Sequence, residues 1–536
     1  MKLIPNKARR AQKTKLTSMT QLALHKKLAP NSKVAVLGAG LSGLTFAYFL
    51  NRLRPDVQLT IFEQKPKSGG WINTDRVNFG DLAHPVKLEK GPRTLRGVSD
   101  GTCMLVDIMM NLGCKQDIMC IDSKSSANRK FLLDKSQNLL QVPPTTPASF
   151  LKFLTNPLSS GLFMGICKEP FAPQKSISAG DESVYDFLKR RFGTASIADN
   201  LLSAVFHGIY AGNVQKLSAN YTLKSLVNME KEHGSIVKAM FSKMQNSKET
   251  AQNETKLSGV LQKYGSSTSS NINELQKLLK LYPMLGFENG LSTVPDAIET
   301  HLAAQENVSI QYGSNLESVE ASPSSKKKLI VNGEPLHFDH LHASTVPSNL
   351  RISDDLTKFL KTITEVNVAL VNIYHPKKDL LGSNIHGFGY LVPRVVDNPQ
   401  HLLGVIFDSV IENNFLPLFS NQQIEKSTLN YTKITAMLGG HYYNNQIIPS
   451  EKIIIQQVKD CLAQHLHFSE KDLNDCKFEF TLAKNSIPEY YVGYDSVPVE
   501  EKVAELGVSL GGMKFASGPG LPDCVVKSFE VAHSLS

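Results

Sequence analysis

The first clear pattern of apolar and polar positions lies near the amino end of the chain. Lys33–Leu37 is a short apolar run with β-branched residues, which predicts a buried strand. Apolar residues then recur at helical spacing over Leu41–Leu53, and this helix is predicted to end before Pro55, because proline cannot donate a backbone hydrogen bond. Residues 57–62 alternate between apolar and polar side chains and predict a second strand. Together these segments predict a βαβ unit.

The patterns that follow predict a helical region and then a strand-rich one. Residues 100–240 have mostly helical spacing. After residue 362 the pattern is rich in strands, which we expect at 366–374, 387–393, 402–410 and 432–438. One helix is expected at 451–465. Between the two regions, residues 242–270 are polar and poor in aromatic residues, which predicts a solvated loop or a disordered insertion.

The turn between the first strand and its helix has the residue types that a dinucleotide site needs. Its members are Gly38, Ala39, Gly40, Leu41, Ser42 and Gly43. The first glycine permits a tight turn, the second leaves room for a pyrophosphate, and the third lets helix and strand pack closely. The amino end of a helix also attracts phosphate, and Glu63 follows the second strand where a carboxylate can accept hydrogen bonds from ribose hydroxyls. A plain glycine-rich turn is the alternative, but the flanking strands, helix and acid favour a dinucleotide site.

Three more glycine turns offer backbone surface to the same kind of ligand. They contain Gly70 and Trp71, then Gly91, Pro92, Arg93 and Thr94, and near the carboxyl end Pro519, Gly520 and Leu521. Glycine lets the backbone approach a flat or phosphorylated ligand closely. Ordinary loops, and for Arg93 a surface arginine, are the alternatives.

The excess of positive charge is confined to an amino-terminal arm. The chain of 536 residues has a formal charge of +9, and residues 1–33 hold nine Lys or Arg and no acid, which leaves 49 basic and 49 acidic residues elsewhere. A neutral body argues against nucleic acid as a partner. The arm is basic, acid-free and rich in hydroxyl residues, which favours a mitochondrial targeting segment over a disordered basic tail.

Cysteine and histidine spacing argues against a disulfide framework or a metal site. The seven cysteines include no CxxC pair. His337, His340 and His342 lie close together, but no cysteine or second acidic cluster is nearby, and the run has the pattern of a buried strand. We therefore expect no bound metal.

Apolar residues between 150 and 167 leave a membrane role open. No stretch is long and apolar enough to span a bilayer, and Asn156 and Pro157 interrupt the best candidate. The segment predicts either short helices that lie in a membrane interface or helices that face the protein core. Its large apolar residues are Phe150, Leu151, Phe153, Leu154, Leu158, Leu162, Phe163, Met164 and Ile166.

Taken in order, the motifs resemble a known family. The βαβ unit, the Gly-Gly-Trp turn, the Gly-Pro-Arg turn and the carboxyl-terminal glycines resemble the FAD-dependent amine oxidase superfamily. Within it the chain is similar to the protoporphyrinogen oxidases of the fungal mitochondrial type. The segments that carry this likeness are GPRTLRG (91–97), GIYAGN (208–213), MLGFENGL (284–291), HGFGYLVP (386–393), LLGVIFDSV (402–410), MLGG (437–440) and the final LPDC.

This resemblance implies the oxidation of protoporphyrinogen IX to protoporphyrin IX in haem biosynthesis. FAD would accept the electrons, six in all, and dioxygen would be reduced to hydrogen peroxide. The motifs contain no acid–base pair or nucleophile, so no catalytic side chain is predicted, which is consistent with chemistry carried by a flavin. The residues implied to contact FAD are Gly38 to Gly43, Glu63, Gly70, Trp71, Gly91 to Thr94, Leu316 and Pro519 to Leu521.

For the substrate, the resemblance implies apolar walls and one basic anchor. Phe388, Leu391 and Met437 would enclose the macrocycle, and the backbone of Gly208 would meet its pyrrole nitrogens. A basic residue before a Phe-Leu pair would bind a propionate. Both Arg129 and Lys130 precede Phe131 and Leu132, so the sequence leaves two candidates.

The predicted fold is α/β: a Rossmann-like FAD-binding domain of the amine oxidase type, a strand-rich substrate domain and a helical membrane-associating domain. The predicted division is a targeting arm (1–32), FAD-binding parts (33–100, 281–345 and 480–536), the helical domain with its polar insertion (101–280) and the substrate domain (346–479). The resemblance further implies a homodimer, contact with ferrochelatase, and a peripheral location on the mitochondrial inner membrane.

Two rival functions remain at this point. One is another flavin amine oxidase or a carotenoid-type desaturase, which would share the FAD motifs but not the block at 387–410. The other is a non-catalytic flavoprotein that holds FAD structurally and docks to a membrane or a partner.

Overall fold

The computed structural model describes residues 25–80, 85–175, 180–249, 257–323, 326–347, 350–420 and 428–536. Most of the basic arm, residues 1–24, lies outside this part of the chain, so the targeting prediction stays a prediction. The strands are β1 Lys33–Leu37, β2 Gln58–Phe62, β3 Thr74–Val77, β4 Val86–Glu89, β5 Leu95–Arg96, β6 Ile118–Ile121, β7 Lys130–Leu133, β8 Leu139–Gln141, β9 Met284–Phe287, β10 Val308–Gln311, β11 Leu316–Glu320, β12 Lys327–Val331, β13 Glu334–Phe338, β14 His340–Ala343, β15 Thr364–His375, β16 Gly389–Leu391, β17 Leu402–Ile406, β18 Leu416–Pro417, β19 Thr432–Gly440, β20 Lys477–Glu489 and β21 Val508–Leu510.

The α-helices lie between these strands and at the carboxyl end. They are Leu41–Leu53, Asp100–Asn111, Pro147–Thr155, Leu162–Lys168, Val184–Phe192, Ser203–Tyr210, Ala219–Thr222, Lys224–His233, Ile236–Glu249, Gly259–Gly265, Ile272–Leu279, Thr293–Ala303, Asp354–Thr362, Asp408–Glu412, Glu451–Leu466, Glu470–Asp475, Val497–Glu505 and Leu521–Leu535. Within the described ranges, no helix is both long and apolar enough to cross a membrane.

A parallel sheet of five strands, in the order β10-β2-β1-β14-β21, forms the centre of the first body. β1 pairs in parallel with β2, with Lys33 opposite Gln58, so the predicted βαβ unit is confirmed. Every residue of β1 after Lys33 is buried, as expected for a strand covered on both faces. Helices Leu41–Leu53 and Leu521–Leu535 pack together on one side.

The histidines near residue 340 belong to this sheet. His340 and His342 are buried on β14, and the Ser509 hydroxyl lies 2.9 Å from His340 Nε2 and 3.0 Å from His342 Nδ1. Burial lowers the pKa of His340 to about 3 and that of His342 well below its usual value. Among the described residues no group of three or more His, Cys, Asp or Glu side chains is arranged to hold a metal ion.

A second sheet of seven strands, in the order β20-β15-β19-β17-β16-β7-β8, forms the other body. β7 and β8 come from residues 130–141, inside the region predicted to be helical, and β6 is also a strand there. The helical prediction is therefore wrong for these segments, because β7 is completed by pairing with β16, a partner more than 250 residues away. β20 continues the sheet to Glu489, beyond the predicted boundary at 479.

Two further predictions are corrected by tertiary packing. The strand predicted over 402–410 ends at Ile406, and Asp408–Glu412 is a short helix. Residues 257–270 are not a solvated loop: Leu261 and Tyr264 are fully buried, and the Tyr264 hydroxyl donates to Asp107 Oδ2 at 2.5 Å. The few apolar residues of this polar segment are enough to pack it against the core. Residues 250–256 lie outside the described residues.

Candidate functional site

The first strand and helix meet in a turn made almost entirely of backbone. Gly38 has φ +92°, a conformation that L side chains rarely adopt. A Cβ on Gly43 would lie 2.0 Å from Gly38 O, so strand and helix pack too closely there for any side chain. Gly40 is the N-cap of the helix and supplies no side-chain hydrogen bond to it. The amino end of this helix therefore offers its N–H groups and partial positive charge to an anion.

A second glycine turn faces the first. Gly69 N donates to Ala39 O at 2.9 Å, and a Cβ on Gly40 would lie 3.8 Å from Gly70 Cα. The two backbone segments thus run side by side with no side chain between Gly40 and Gly70. These adjoining segments form a backbone surface without side chains, the candidate pyrophosphate slot, which the phosphates of a dinucleotide can approach closely.

The remaining residues predicted to contact FAD surround these two turns. Glu63 lies at the end of β2, where its Oε2 accepts from Ala39 N at 2.8 Å and its Oε1 from Lys65 N at 2.9 Å. Trp71 is 39% exposed, and a Cβ on Gly91 would lie 2.0 Å from Trp71 O, so the turn of residues 91–94 packs directly on the Gly-Gly-Trp turn. Leu316 is buried at the start of β11.

The carboxyl-terminal glycine segment closes the same region from another side. Gly512 N donates to Ser42 Oγ at 2.9 Å, which ties this segment to the first turn of the first helix. Pro519, Gly520 and Leu521 are half-buried at the start of the final helix, where Gly520 is the N-cap. The structure therefore brings together the first three glycine turns and ties the carboxyl-terminal segment to them through Gly512.

Arg93 has a partner that sequence reasoning missed. Its Nε lies 3.0 Å from Asp408 Oδ1, and the two side chains are only 8% and 7% exposed. Asp408 stands just after β17, in the second body, so this ion pair joins the candidate cofactor turn to the seven-stranded sheet. The available signal was a single carboxylate inside the apolar segment 402–410, which a buried environment tolerates only with a partner.

Register places the predicted substrate residues in one row of the seven-stranded sheet. Leu391 lies opposite Leu132 on one side and Gly404 on the other, and Gly404 lies opposite Met437. Directly paired residues project from the same face of a sheet. A Cβ on Gly208 would lie 2.9 Å from Leu391 Cδ2, so the helix Ser203–Tyr210 covers this row. Leu391 and Met437 are half-buried, and Gly208 is exposed.

Phe388 and the two basic candidates lie at the edge of this row. Phe388 is half-buried, and its N–H donates to Arg129 O at 2.8 Å. Lys130 is two positions before Leu132 in β7, so strand alternation places it on the face that carries Leu391. Arg129, one position earlier and extended, is placed on the opposite face, and its Nε is buried without a hydrogen-bond partner. Strand geometry therefore assigns Lys130 and Arg129 to opposite faces of the sheet, a distinction that the sequence left open.

A histidine pair next to Gly208 was also missed. His207 Nδ1 lies 2.7 Å from Val392 O and so donates to it, and His207 Nε2 lies 3.1 Å from His441 Nε2. Burial is the main cause that lowers the pKa of His207 to about 4 and that of His441 to about 3, with Arg394 adding a smaller effect on both. Both rings are therefore neutral near pH 7. No local signal could have found this pair, since 234 positions separate its members.

The apolar segment 150–171 is largely on the surface. Phe163 is 78% and Phe171 86% exposed. Seven large apolar side chains of this segment are exposed, and we call them together the apolar face: Phe150, Leu151, Leu154, Phe163, Met164, Ile166 and Phe171. Phe153 and Leu158 are buried and Leu162 is half-buried against the same cluster, so the alternative that this segment faces the core holds for those three residues. Contiguous exposed apolar side chains are typical of a protein or membrane contact.

With this geometry in place, comparison with known proteins identifies the class. Residues 41–517 match the flavin containing amine oxidoreductase family, and the chain belongs to it. Solved structures share the fold: a protein from Exiguobacterium sp. 255-15 at TM-score 0.67 (19% identity, 95% of this chain and 99% of that one) and the cyclohexylamine oxidase of Brevibacterium oxydans at 0.57 (14% identity, 94% and 98%).

Sequence relatives narrow the class. The chain is 41% identical to the protoporphyrinogen oxidase of Saccharomyces cerevisiae, over 95% of this chain and 99% of that protein. It is 26% identical to the human protoporphyrinogen oxidase, over 94% and 98%. The chain is therefore a member of the protoporphyrinogen oxidase family. The predicted family and fold class are confirmed, and the glycine turns fit the FAD that this flavin family implies.

Proposed function

We propose that this chain oxidises protoporphyrinogen IX to protoporphyrin IX, a step of haem biosynthesis. The observation that carries the proposal is the Arg93–Asp408 ion pair, which joins a candidate cofactor turn to the sheet that bears the apolar row, in a chain of this family. When bound, FAD takes two electrons per turnover and dioxygen reoxidises it to hydrogen peroxide, so three turnovers remove six electrons and six hydrogens.

The chain's own residues position the flavin and the macrocycle and keep water away from both. The residues of the glycine turns, with Glu63, Trp71 and Leu316, hold FAD. Leu391, Met437 and Phe388 supply apolar walls, because a flat macrocycle gains most of its affinity from the apolar area that it buries. Gly208 lies in the last turn of its helix, where backbone carbonyls lack partners within the helix, so its carbonyl can accept from a pyrrole N–H.

Lys130 is the better candidate for the propionate. It is exposed and is assigned by strand alternation to the face of Leu391, whereas Arg129 is assigned to the other face. A charge-assisted hydrogen bond nets about 1.5 to 3 kcal/mol, less than the burial of a macrocycle. Lys130 therefore orients the substrate, and the walls supply most of the affinity.

The apolar face supports a peripheral membrane location, for which we propose the mitochondrial inner membrane. Exposed Phe163, Met164 and Phe171 can enter the interfacial region of a bilayer. The homodimer and the contact with ferrochelatase rest only on the family resemblance. Vesicle co-sedimentation tests the membrane part: Phe163→Ser with Phe171→Ser should release the protein from vesicles, whereas Val497→Ser, at another exposed apolar position, should not.

Porphyrin fluorescence tests the reaction. Purified flavoprotein is mixed aerobically with protoporphyrinogen IX, and fluorescence is followed against the rate of autoxidation without enzyme. A rise in fluorescence together with three molecules of hydrogen peroxide per protoporphyrin supports the proposal. A rate no higher than autoxidation would reject it, and loss of flavin absorbance on addition of an amine would favour the amine oxidase alternative.

A further inference from the structure

A buried ion pair joins the two halves of the candidate site. Arg93 belongs to the turn 91–94 of the first body, and Asp408 to the second body. Arg93 Nη2 donates to Glu89 O at 3.3 Å, whereas Arg93 Nε makes no hydrogen bond, so the contact with Asp408 is electrostatic. Removal of one member of a buried pair leaves the other charge without compensation, which costs far more than loss of an exposed pair. Arg93 therefore depends on Asp408 for its position.

Asp408 is itself held by the sheet that carries the apolar row. Its second oxygen, Oδ2, accepts from Thr435 Oγ1 at 2.7 Å. Thr435 lies on β19 two positions before Met437, so the two side chains share a face of the sheet. One carboxylate thus contacts the candidate cofactor turn through one oxygen and the pocket face of the sheet through the other.

The two other described acids beside Arg93 have partners of their own. Glu89 accepts from Leu291 N and from Thr74 Oγ1, both at 2.9 Å. Glu412, in the same short helix, lies 2.7 Å from Lys433 Nζ and 3.7 Å from Lys87 Nζ. Lys433 is 2% exposed, so Glu412 is needed to compensate a buried ammonium. Asp408 is consequently the carboxylate available to Arg93 in this cluster.

We propose that Asp408 is a positioning residue that acts through Arg93. It fixes the turn 91–94 against the pocket face of β19, so that the flavin and the macrocycle keep one relative position. This inference rests on the proposed function, because it takes the turn 91–94 as a cofactor contact. Its two carboxylate oxygens contact Arg93 and Thr435.

FAD affinity is the first test. Asp408→Asn keeps the shape of the side chain and removes its charge, so the dissociation constant of FAD, measured by reconstitution of the FAD-free protein, should rise at least roughly tenfold. Asp408→Glu should recover part of the loss. Asp355→Asn is the matched control, because it breaks an exposed pair with Lys502 (3.0 Å, side chains 58% and 51% exposed), and it should leave FAD affinity unchanged.

A double-mutant cycle separates positioning through Arg93 from a merely structural role. If Asp408 acts through Arg93, Arg93→Met with Asp408→Asn should bind FAD no more weakly than the weaker single variant. Losses that multiply would overturn the proposal. If Asp408→Asn does not fold, the cycle is run with Thr435→Val, which removes the second anchor of Asp408 and should weaken FAD binding only in the presence of Arg93.

The same cycle distinguishes this proposal from the proposed function. FAD binding is measured without substrate, so coupling between Arg93 and Asp408 can be observed even if the wild type produces no porphyrin. That outcome would reject the proposed function and leave the positioning role of Asp408 toward FAD. Independent losses in an enzyme that does oxidise protoporphyrinogen would reject the positioning role alone.

Discussion

The cofactor turns and the substrate row are built in different ways. The first are made of backbone: a Cβ would lie 2.0 Å from its nearest neighbour on Gly43, 2.8 Å on Gly38 and 3.1 Å on Gly70, whereas on Gly40 it would make only an ordinary contact at 3.8 Å. The second is made of side chains on strands from four parts of the chain, β7, β16, β17 and β19. The comparison teaches that affinity for phosphate comes from local backbone geometry, whereas the shape of an apolar pocket depends on the pairing of distant strands.

The two regions also differ in charge. Around the glycine turns the chain relies on N–H groups and a helix terminus, with Glu63 as the acid that accepts from the turn. On the face of the sheet that carries the predicted substrate row lie compensated buried charges, Arg93 with Asp408 and Lys433 with Glu412. Substitutions in the glycine turns should therefore act through steric clashes of the added side chain. Substitutions at the ion pairs should act by leaving a buried charge without its partner.

The largest effect is expected from Gly43→Ala. Its methyl group would lie 2.0 Å from Gly38 O, so strand β1 and the first helix must separate. We expect a loss of about 3 kcal/mol in the free energy of unfolding, measured in urea on FAD-free protein. Gly259→Ala is the control, because nothing lies within 4 Å of a Cβ there. Wild-type stability in Gly43→Ala would show that backbone contact does not define this turn.

Gly40→Val should separate cofactor binding from folding. Gly40 has φ −72°, and its Cβ would meet only Gly70 Cα at 3.8 Å, so the protein can accommodate a side chain. The side chain would occupy the slot assigned to the pyrophosphate. The purified variant should therefore fold but be colourless, measured as flavin absorbance per protein together with far-ultraviolet circular dichroism. Full flavin content would mean that the cofactor lies elsewhere.

On the substrate side, Lys130→Met and Arg129→Met form a matched pair. Loss of a charge-assisted bond of about 1.5 to 3 kcal/mol should raise KM for protoporphyrinogen roughly tenfold or more in Lys130→Met. Arg129→Met should change KM little, because strand alternation assigns Arg129 to the other face. Steady-state kinetics on both variants measures the difference, and the reverse order would assign the propionate to Arg129. Flavin content should stay at the wild-type value in both.

A dependence of stability on pH is expected from His207 and His441. Their folded pKa values, about 4 and about 3, lie below the unfolded value near 6.5. Between these values the unfolded chain binds more protons, so this contribution is fully present above pH 6.5 and is lost as pH falls toward 4. Each ring should cost on the order of 2 kcal/mol at pH 5 relative to pH 7. Urea unfolding of the wild type and of His207→Gln at pH 5 and pH 7 measures this contribution. An equal change in the free energy of unfolding with pH in both proteins would exclude a role for the pair.

Much of the cofactor side could be predicted from the sequence because its signals are local. The bounds of β1 and of the first helix coincide with the predicted ones, since an apolar run, a glycine turn and a proline lie within about thirty residues. Motif order also identified the family and, with it, the flavin. Local backbone chemistry needs no knowledge of distant partners.

Tertiary structure alone decided the rest. Lys130–Leu133 pairs locally with β8 and across the chain with β16, and the register with β16 is what assigns Lys130 rather than Arg129 to the face that carries Leu391. The contacts of Asp408 with Arg93 and of His207 with His441 form only on folding, because the segments that carry them lie hundreds of residues apart. A strand edge or a buried charge has no stable partner until the chain is folded, so its role is a property of the assembled molecule and is absent from any single stretch of sequence.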